Sequence, residues 1–338
     1  MTLKEVINRL LQGQDLSPDQ MRQWMTQIME GRVTPVQVAG FLVALRAKGE
    51  NVDEIATAAE VLREKAQRIE VAGGHLIDTC GTGGDGLDTF NVSTTAAFVV
   101  AAAGGRVAKH GNRSVSSRCG SADVLEAAGV NLDLTPDQVK RCIEEIGVGF
   151  LYAPKHHGAL RHVATVRQEL GIRTLFNLLG PLLNPAAAPH QLLGVFDRRY
   201  VVLLAEVLQR LGSRHVLVVH AEDGLDEISL NSPTWVAELV NGQVEDYVIE
   251  PAQFGIEPAS LERIQVGSVT ESLEMMRRVL AGTPGPAADI VALNAGAAIY
   301  AADVTDTLTQ GVEKAQDMLA IGAGLKKLDA LTEWSQSQ

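Results

Sequence analysis

The sequence predicts an α/β protein, with a small all-helical N-terminal domain over residues 1–72 and a larger α/β domain with a mostly parallel central sheet over residues 73–338. Three observations lead there. The first 70 or so residues carry only helix-period apolar patterns. After Ala72-Gly73-Gly74, short continuous apolar runs alternate with longer helical ones, the signature of a parallel sheet with helices on both faces. The 338 residues also exceed what one core of roughly 250–300 residues accommodates.

In the N-terminal part, Leu3, Val6, Ile7, Leu10 and Leu11 line one face of a first helix. "SPDQ" from Ser17 and "TPVQ" from Thr34 each supply a hydroxyl cap, a proline in the first turn and a glutamine that reaches back, so each opens a helix. The first of these carries Met21, Trp24, Met25, Ile28 and Met29 on one stripe, and the second Phe41, Leu42 and Leu45. Such a methionine stripe suits core packing or a dimer seam. Asn51 with Glu54 caps a fourth helix. A bundle this small leaves apolar faces uncovered, so a homodimer through it is expected.

In the larger domain, "HLIDTC", "RVAKHG", "VGFLYAP", "HQLLGVFD" and "RHVLVVHA" read as buried strands. The helices between them begin near Asn91 or Ser93, at Ser121, at Thr135 and around Arg199. "TWVAELV" and "QVEDYVIEP" meet at Asn241-Gly242, a hairpin signal, and helices resume from about Ser268.

Composition excludes several classes. Hydrophobic residues at 46% and charged residues at 21% describe a globular chain rather than a disordered one. No apolar run approaches the roughly 20 residues that span a bilayer, and "MTLKEVINRL" is amphipathic rather than a signal sequence, so a cytoplasmic protein is expected, with no membrane partner. Cys80, Cys119 and Cys142 have no C-x-x-C spacing and suggest neither disulfides nor a zinc site. A net charge of -12 argues against nucleic acid as a partner.

Ligands of open α/β sheets bind beyond the carboxyl ends of the strands, so the loops there carry the chemistry. Residues Gly81 to Gly86 match G-x-G-x-x-G and can form an anion-binding nest, or simply a glycine-rich turn. A dinucleotide site should also place an acid about 20 residues onward. The next strand instead runs Arg106-Val107-Ala108-Lys109, and Thr89, Asn91, Ser93 and Thr94 cluster before the helix. The nicotinamide-dependent reading weakens accordingly. The second loop, "KHGNRSVSSRCGSAD", is locally basic in a chain with 41 acids against 29 bases. Lys109, Arg113 and Arg118 are candidates for phosphate oxygens, with Ser114, Ser116, Ser117 and Ser121 as hydroxyl donors. After the fifth strand, Asp226 and Glu227 are hard oxygen donors suited to Mg²⁺, or merely surface acids. A fourth segment holds His156, His157, His162, Arg161, Arg167 and Arg173. Its histidine spacing is not that of a helical zinc site, and an arginine that binds a carboxylate is the more economical reading.

"GTGGD" with "TFNVST", then "KHGNR", "VSS" and "GSADVLEA", then "VRQELGIRTLFNLLGPLLNP", then "DGLDE" occur in this order. In combination they closely resemble the anthranilate phosphoribosyltransferase family of tryptophan biosynthesis, over nearly the whole chain. The resemblance implies transfer of a phosphoribosyl group from 5-phosphoribosyl diphosphate (PRPP) to the amine of anthranilate, with release of diphosphate. It implies a homodimer formed by the helical domains, with part of about residues 165–190 packed on them, and Mg²⁺ as cofactor, two ions per subunit. Carried over position by position, it puts PRPP on Gly81, Gly84, Asp85, Thr89, Asn91, Val92, Ser93, Thr94, Lys109, His110 and Gly111, with Asn112, Arg113, Ser114, Val115, Ser116, Ser117 and Ser121 folding over it. Mg²⁺ falls to Ser93, Asp226 and Glu227; anthranilate falls to Gly81, Asn112, Arg167, His110 and His157, Arg167 facing its carboxylate. Departures are Cys119 in the loop, Gly158 after its histidine and Ala221 where glycine is common, none of which removes a ligand-binding group. A pyrimidine nucleoside phosphorylase would share the architecture but use free phosphate and a nucleoside. A non-catalytic nucleic-acid-binding relative would be expected to lose the glycine loop or the acid pair and gain basic surface.

Overall fold

The computed structural model describes residues 2–114 and 118–338. Four helices open the chain: α1 (Leu3–Leu11), α2 (Pro18–Met29), α3 (Pro35–Lys48) and α4 (Val52–Glu64). Each begins with a capping box, at Thr2, Ser17, Thr34 and Asn51, so the caps legible in the sequence fix where the helices start. The methionine stripe of α2 is buried in the bundle core.

Strands and helices then alternate: β1 (Leu76–Gly81), α5 (Val92–Ala102), β2 (Arg106–Gly111), α6 (Ser121–Ala127), α7 (Pro136–Ile146) and β3 (Val148–Tyr152). Three short helices follow, α8 (Ala153–His156), α9 (Arg161–Leu170) and α10 (Leu175–Leu179), and then β4 (His190–Gly194), α11 (Tyr200–Arg210), β5 (His215–Ala221), β6 (Thr234–Val240) and β7 (Gln243–Ile249). The C-terminal helices are α12 (Val269–Leu280), α13 (Pro286–Ala301), α14 (Leu308–Ala320) and α15 (Ala323–Gln336). Among the described residues no helix is long and apolar enough to cross a membrane.

Among the described residues seven strands form one sheet in the order β3-β2-β1-β4-β5-β6-β7. The first five are parallel, and β6 and β7 continue as an antiparallel hairpin. Its turn is Asn241-Gly242, both with positive φ (52° and 74°), as a two-residue hairpin loop that follows the strand twist requires. The parallel strands are buried on both faces, which is why they read as continuous apolar runs. Alternate residues serve different cores. Leu217 and Val219 face α5, α12, α13, α14 and α15, whereas Val216 and Val218 face α11 and the N-terminal bundle. Val163, Val166, Leu175, Phe176, Leu178 and Leu179 share that second core with α1–α4, so the segment after β3 packs with the bundle.

Strand order sets where a ligand can go. The chain moves outward from β1 through β2 to β3, then returns to the other side of β1 at β4. The two halves part at the β1/β4 pair, and a crevice opens beyond its carboxyl end.

Candidate active site

That carboxyl end is marked by Gly81 on β1 paired with Gly194 on β4. Both glycines admit the loop after β5. A Cβ at Gly194 would lie 1.5 Å from the Asp226 carbonyl oxygen, and one at Gly81 2.6 Å from Asp226 Oδ2. The acidic pair is thereby drawn over the centre of the sheet into a cavity of about 460 Å³.

The glycine loop forms one wall. Gly83, Gly84 and Gly86 all have positive φ, between 68° and 80°, the conformation in which backbone N–H groups turn into a concave nest. The loop is pinned from outside: Phe90 N donates to Ile264 O at 3.0 Å, and Thr89 bridges to Gln265. Asn91 caps α5 by position, but its side chain bonds elsewhere, accepting from Ser272 Oγ at 2.7 Å and donating to Cys119 O at 3.2 Å. The N-terminus of α5 therefore presents Val92, Ser93 and Thr94 to the cavity with no cap from Asn91.

Cations and acids meet beneath it. Lys109 on β2 is buried, donates to Thr79 O, and lies 3.4 Å from Ser93 Oγ. Burial lowers its pKa, while Asp78 opposes that shift. Asp78 itself is pushed up to about 6 by burial, with Lys109 pulling it down, and accepts from His110 N at 3.1 Å. Asp226 Oδ2 accepts from Gly83 N at 2.8 Å and Glu227 Oε1 from Ser93 N at 3.2 Å. Both acids are raised, Asp226 by burial and then by Asp85, Glu227 by burial and then by Asp226. Buried carboxylates that repel one another beside a serine hydroxyl form a hard-oxygen donor set, and Mg²⁺ fits it.

The opposite wall comes from the bundle side. Arg167 on α9 is half-buried against the Phe176 ring, 5.6 Å from its centroid, and burial depresses its pKa. His157 and His110 are buried with their Nε2 atoms 3.1 Å apart, one donating to the other. Burial, reinforced by His156, brings His157 down to about 4, and burial drives His110 well below its ordinary value, with His157 adding to it, so both rings are neutral. The remaining histidines of this segment are elsewhere: His156 bonds Gln67 O at 2.9 Å, and His162 packs on Gly31.

Every described residue expected to contact a ligand lines this one cavity: Gly81, Gly84, Asp85, Thr89, Asn91, Val92, Ser93, Thr94, Lys109, His110, Gly111, Asn112, Arg113, Ser114, Ser121, His157, Arg167, Asp226 and Glu227. Val115, Ser116 and Ser117 lie outside the described residues. Two basic side chains are differently employed than their composition suggests. Arg113 grips Glu126 with two bonds of 2.7 and 2.8 Å and reaches Asp123 at 3.1 Å, and Arg118 pairs with Asp88 at 2.9 Å. Lys109 alone of that trio is buried at the floor. Sequence reasoning missed Asp78, the Phe176 and Asn177 wall, and Ser272 behind Asn91.

Comparison with known proteins agrees with this geometry. The profile of the glycosyl transferase family a/b domain matches residues 73–325, and that of the family's helical bundle domain matches residues 4–66. The anthranilate phosphoribosyltransferase of Methylococcus capsulatus is 62% identical over 336 residues, covering 99% of this chain and 98% of that one. That of Thioalkalivibrio sulfidiphilus is 59% identical, with 100% of each chain covered. The crystal structure of the Thermus thermophilus enzyme superposes with a TM-score of 0.92 at 46% identity, over 98% of this chain and 99% of the other. The Saccharomyces cerevisiae enzyme in complex with PRPP and Mg gives 0.90 at 26% identity, over 99% and 98%. By its sequence, its two-part organisation and its fold, the chain belongs to the anthranilate phosphoribosyltransferase family.

Proposed function

We infer that this chain transfers the phosphoribosyl group of PRPP to the amine of anthranilate, giving N-(5-phosphoribosyl)anthranilate and diphosphate in tryptophan biosynthesis, in the cytoplasm. One observation carries the reading: a glycine nest, a helix N-terminus, a buried lysine and an acid pair converge on one cavity whose far wall holds Arg167. The yeast relative's complex with PRPP and Mg supports the first substrate and the metal, and its complex with 4-fluoroanthranilate supports the second.

In this reading the nest of Gly81 to Gly86, the first turn of α5 and Lys109 hold the diphosphate, with Asp85, Thr89 and Asn91 toward the ribose. Gly111, Asn112, Arg113, Ser114 and Ser121 border the loop expected to cover it. Ser93, Asp226 and Glu227 would hold Mg²⁺, two ions per subunit, which supplies charge neutralisation for the diphosphate. Displacement at the anomeric carbon loads negative charge on the leaving diphosphate, so Lys109 contributes most by stabilising that charge from its buried position at the cavity floor. Arg167, with Gly81 and Asn112 beside it, orients the anthranilate carboxylate, and the neutral His110 and His157 line its channel without adding charge. The aromatic amine attacks without prior deprotonation, so positioning rather than a dedicated base completes the step.

Protein, PRPP, Mg²⁺ and anthranilate should together lose anthranilate fluorescence; folded protein that leaves it unchanged with fresh PRPP rejects the reading. Asp226→Ala or Glu227→Ala should lower turnover and shift its Mg²⁺ dependence, whereas Arg167→Ala should mainly raise the KM for anthranilate. Steady-state kinetics with each component varied separates the two, and an unchanged Mg²⁺ profile removes the metal assignment.

The homodimer is proposed on the bundle. Leu11 at the end of α1, Val36 and Val43 two turns apart on α3, and Ile172 after α9 are large apolar side chains left exposed there, Val36 at 82%. Exposed apolar groups gathered on one small domain mark an interaction surface.

A further inference from the structure

At the amino ends of the strands, opposite the cavity, stands a group of donors that phosphoribosyl transfer does not use. His190 and His215 are the first residues of β4 and β5, face each other across the parallel ladder, and are both buried. Asp303 follows α13 in a turn where its φ is +57° and its N–H donates to Tyr300 O at 2.9 Å. One donor atom from each of the three lies within 4.8 Å of the other two. His215 Nδ1 is 2.7 Å from Asp303 Oδ1, and His190 Nε2 is 3.9 Å from Asp303 Oδ2.

Behind this trio His215 Nε2 lies 3.0 Å from Glu238 Oε1, and Glu238 is itself fixed by the hydroxyls of Tyr300 at 2.7 Å and Tyr247 at 2.8 Å. Two carboxylates therefore flank one imidazole, and both contacts are hydrogen bonds only if that ring carries two protons. A cation on the Asp303 side can take the place of the second of those protons. His215 keeps its Nε2 proton on Glu238 and turns a lone pair at Nδ1 toward the ion, the carboxylate-imidazole-metal relay that orients histidine ligands. His190, buried and with Nε2 turned toward Asp303, can join through that atom as a second imidazole ligand.

We propose that His190, His215 and Asp303 form a structural binding site for Zn²⁺, with water in the fourth position. Two imidazoles and one carboxylate suit a borderline cation, whereas Mg²⁺ prefers the all-oxygen set at Asp226 and Glu227, so the two ends of the sheet sort cations by donor type. Zinc bonds of about 2.0–2.2 Å place tetrahedral donors roughly 3.3 Å apart. The three donor atoms, within 4.8 Å of one another, would adjust to that spacing around the ion. Asp303 is 60% exposed and leaves a way in for the ion, which would tie the starts of β4 and β5 to the end of α13.

The test titrates the metal-free protein with Zn²⁺ against a chromophoric chelator in saturating Mg²⁺, and records the visible spectrum with Co²⁺ in place of Zn²⁺. The expected result is one tightly held equivalent, an intense tetrahedral Co²⁺ band and a Tm that rises with Zn²⁺. Asp303→Asn, at an exposed position, should weaken binding at least about a hundredfold. Asp226→Asn should leave it intact. Absent binding, a weak octahedral Co²⁺ spectrum, or an affinity that falls with Asp226→Asn and not with Asp303→Asn overturns the site. Should Asp303→Asn fail to fold, the Co²⁺ spectrum of the unaltered protein in Mg²⁺ decides between these outcomes.

Discussion

A single atom of space decides where the loop carrying Asp226 and Glu227 lies. At Gly194 an added Cβ meets the Asp226 backbone, which cannot swing aside as a side chain can, so Gly194→Ala must displace the loop that carries both acids. Activity should fall at least about a hundredfold, with a Tm loss from the shifted backbone; a Mg²⁺ titration beside a thermal melt checks both. Protonation of His157 acts at the same scale. Its pKa is 6.5 unperturbed and about 4 when folded, so the unfolded chain binds the proton more readily. The stability contributed by the neutral ring is complete above about pH 6.5 and is lost as pH falls toward 4, on the order of 3 kcal/mol. Denaturant melts across that range should show the decline, and His157→Gln should make it shallower, His110 and His156 still contributing in the same direction. None of this was legible beforehand. Gly194 read only as part of a buried strand and His157 as a ligand candidate, and what surrounds each depends on segments distant in sequence.

The element most exposed to remote control is α5. The residue before it, Asn91, is held by Ser272 of α12, which is fully buried and exchanges bonds of 3.2 and 2.7 Å with it across 181 positions of sequence. Ser272→Ala leaves an Asn91 donor and an acceptor short of a partner, a cost of about 1–3 kcal/mol. The KM for PRPP should rise several-fold while that for anthranilate stays within twofold, measured by varying each substrate separately. Elements themselves were largely readable, since capping boxes and continuous apolar runs are local signals: β2, β6 and the openings of α2, α3 and α7 stand where the sequence puts them. The helices α8 to α10 were not read. Gly158, Gly171 and Pro181 interrupt their period, and Val163, Leu175 and Phe176 show a purpose only against α1–α4. The cavity was legible as residue types after strand ends. The outward commitment of Arg113 was not, because nothing local points it at Glu126, 13 residues on.

The whole molecule divides its surface by task. With a net charge of -12 it repels polyanions in general, yet it gathers nest, helix end and Lys109 around one cavity. The proposed association surface lies on the bundle, where Val36 and Val43 are left exposed on α3. Val36→Glu with Val43→Glu should convert a dimer into a monomer by light scattering, with the folded spectrum retained; a wild-type chain that runs as a monomer at micromolar concentration removes the interface. The close fit at the middle of the sheet also bears on assembly in time. Gly83 and the Asp226 it binds are 143 residues apart, whereas the β6–β7 hairpin closes over two. Short loops form early and distant pairings late, because the chain must first surrender the entropy of the loop between them. Catalytic competence should therefore be the last property a refolding chain regains, after its helices and its hairpin are in place.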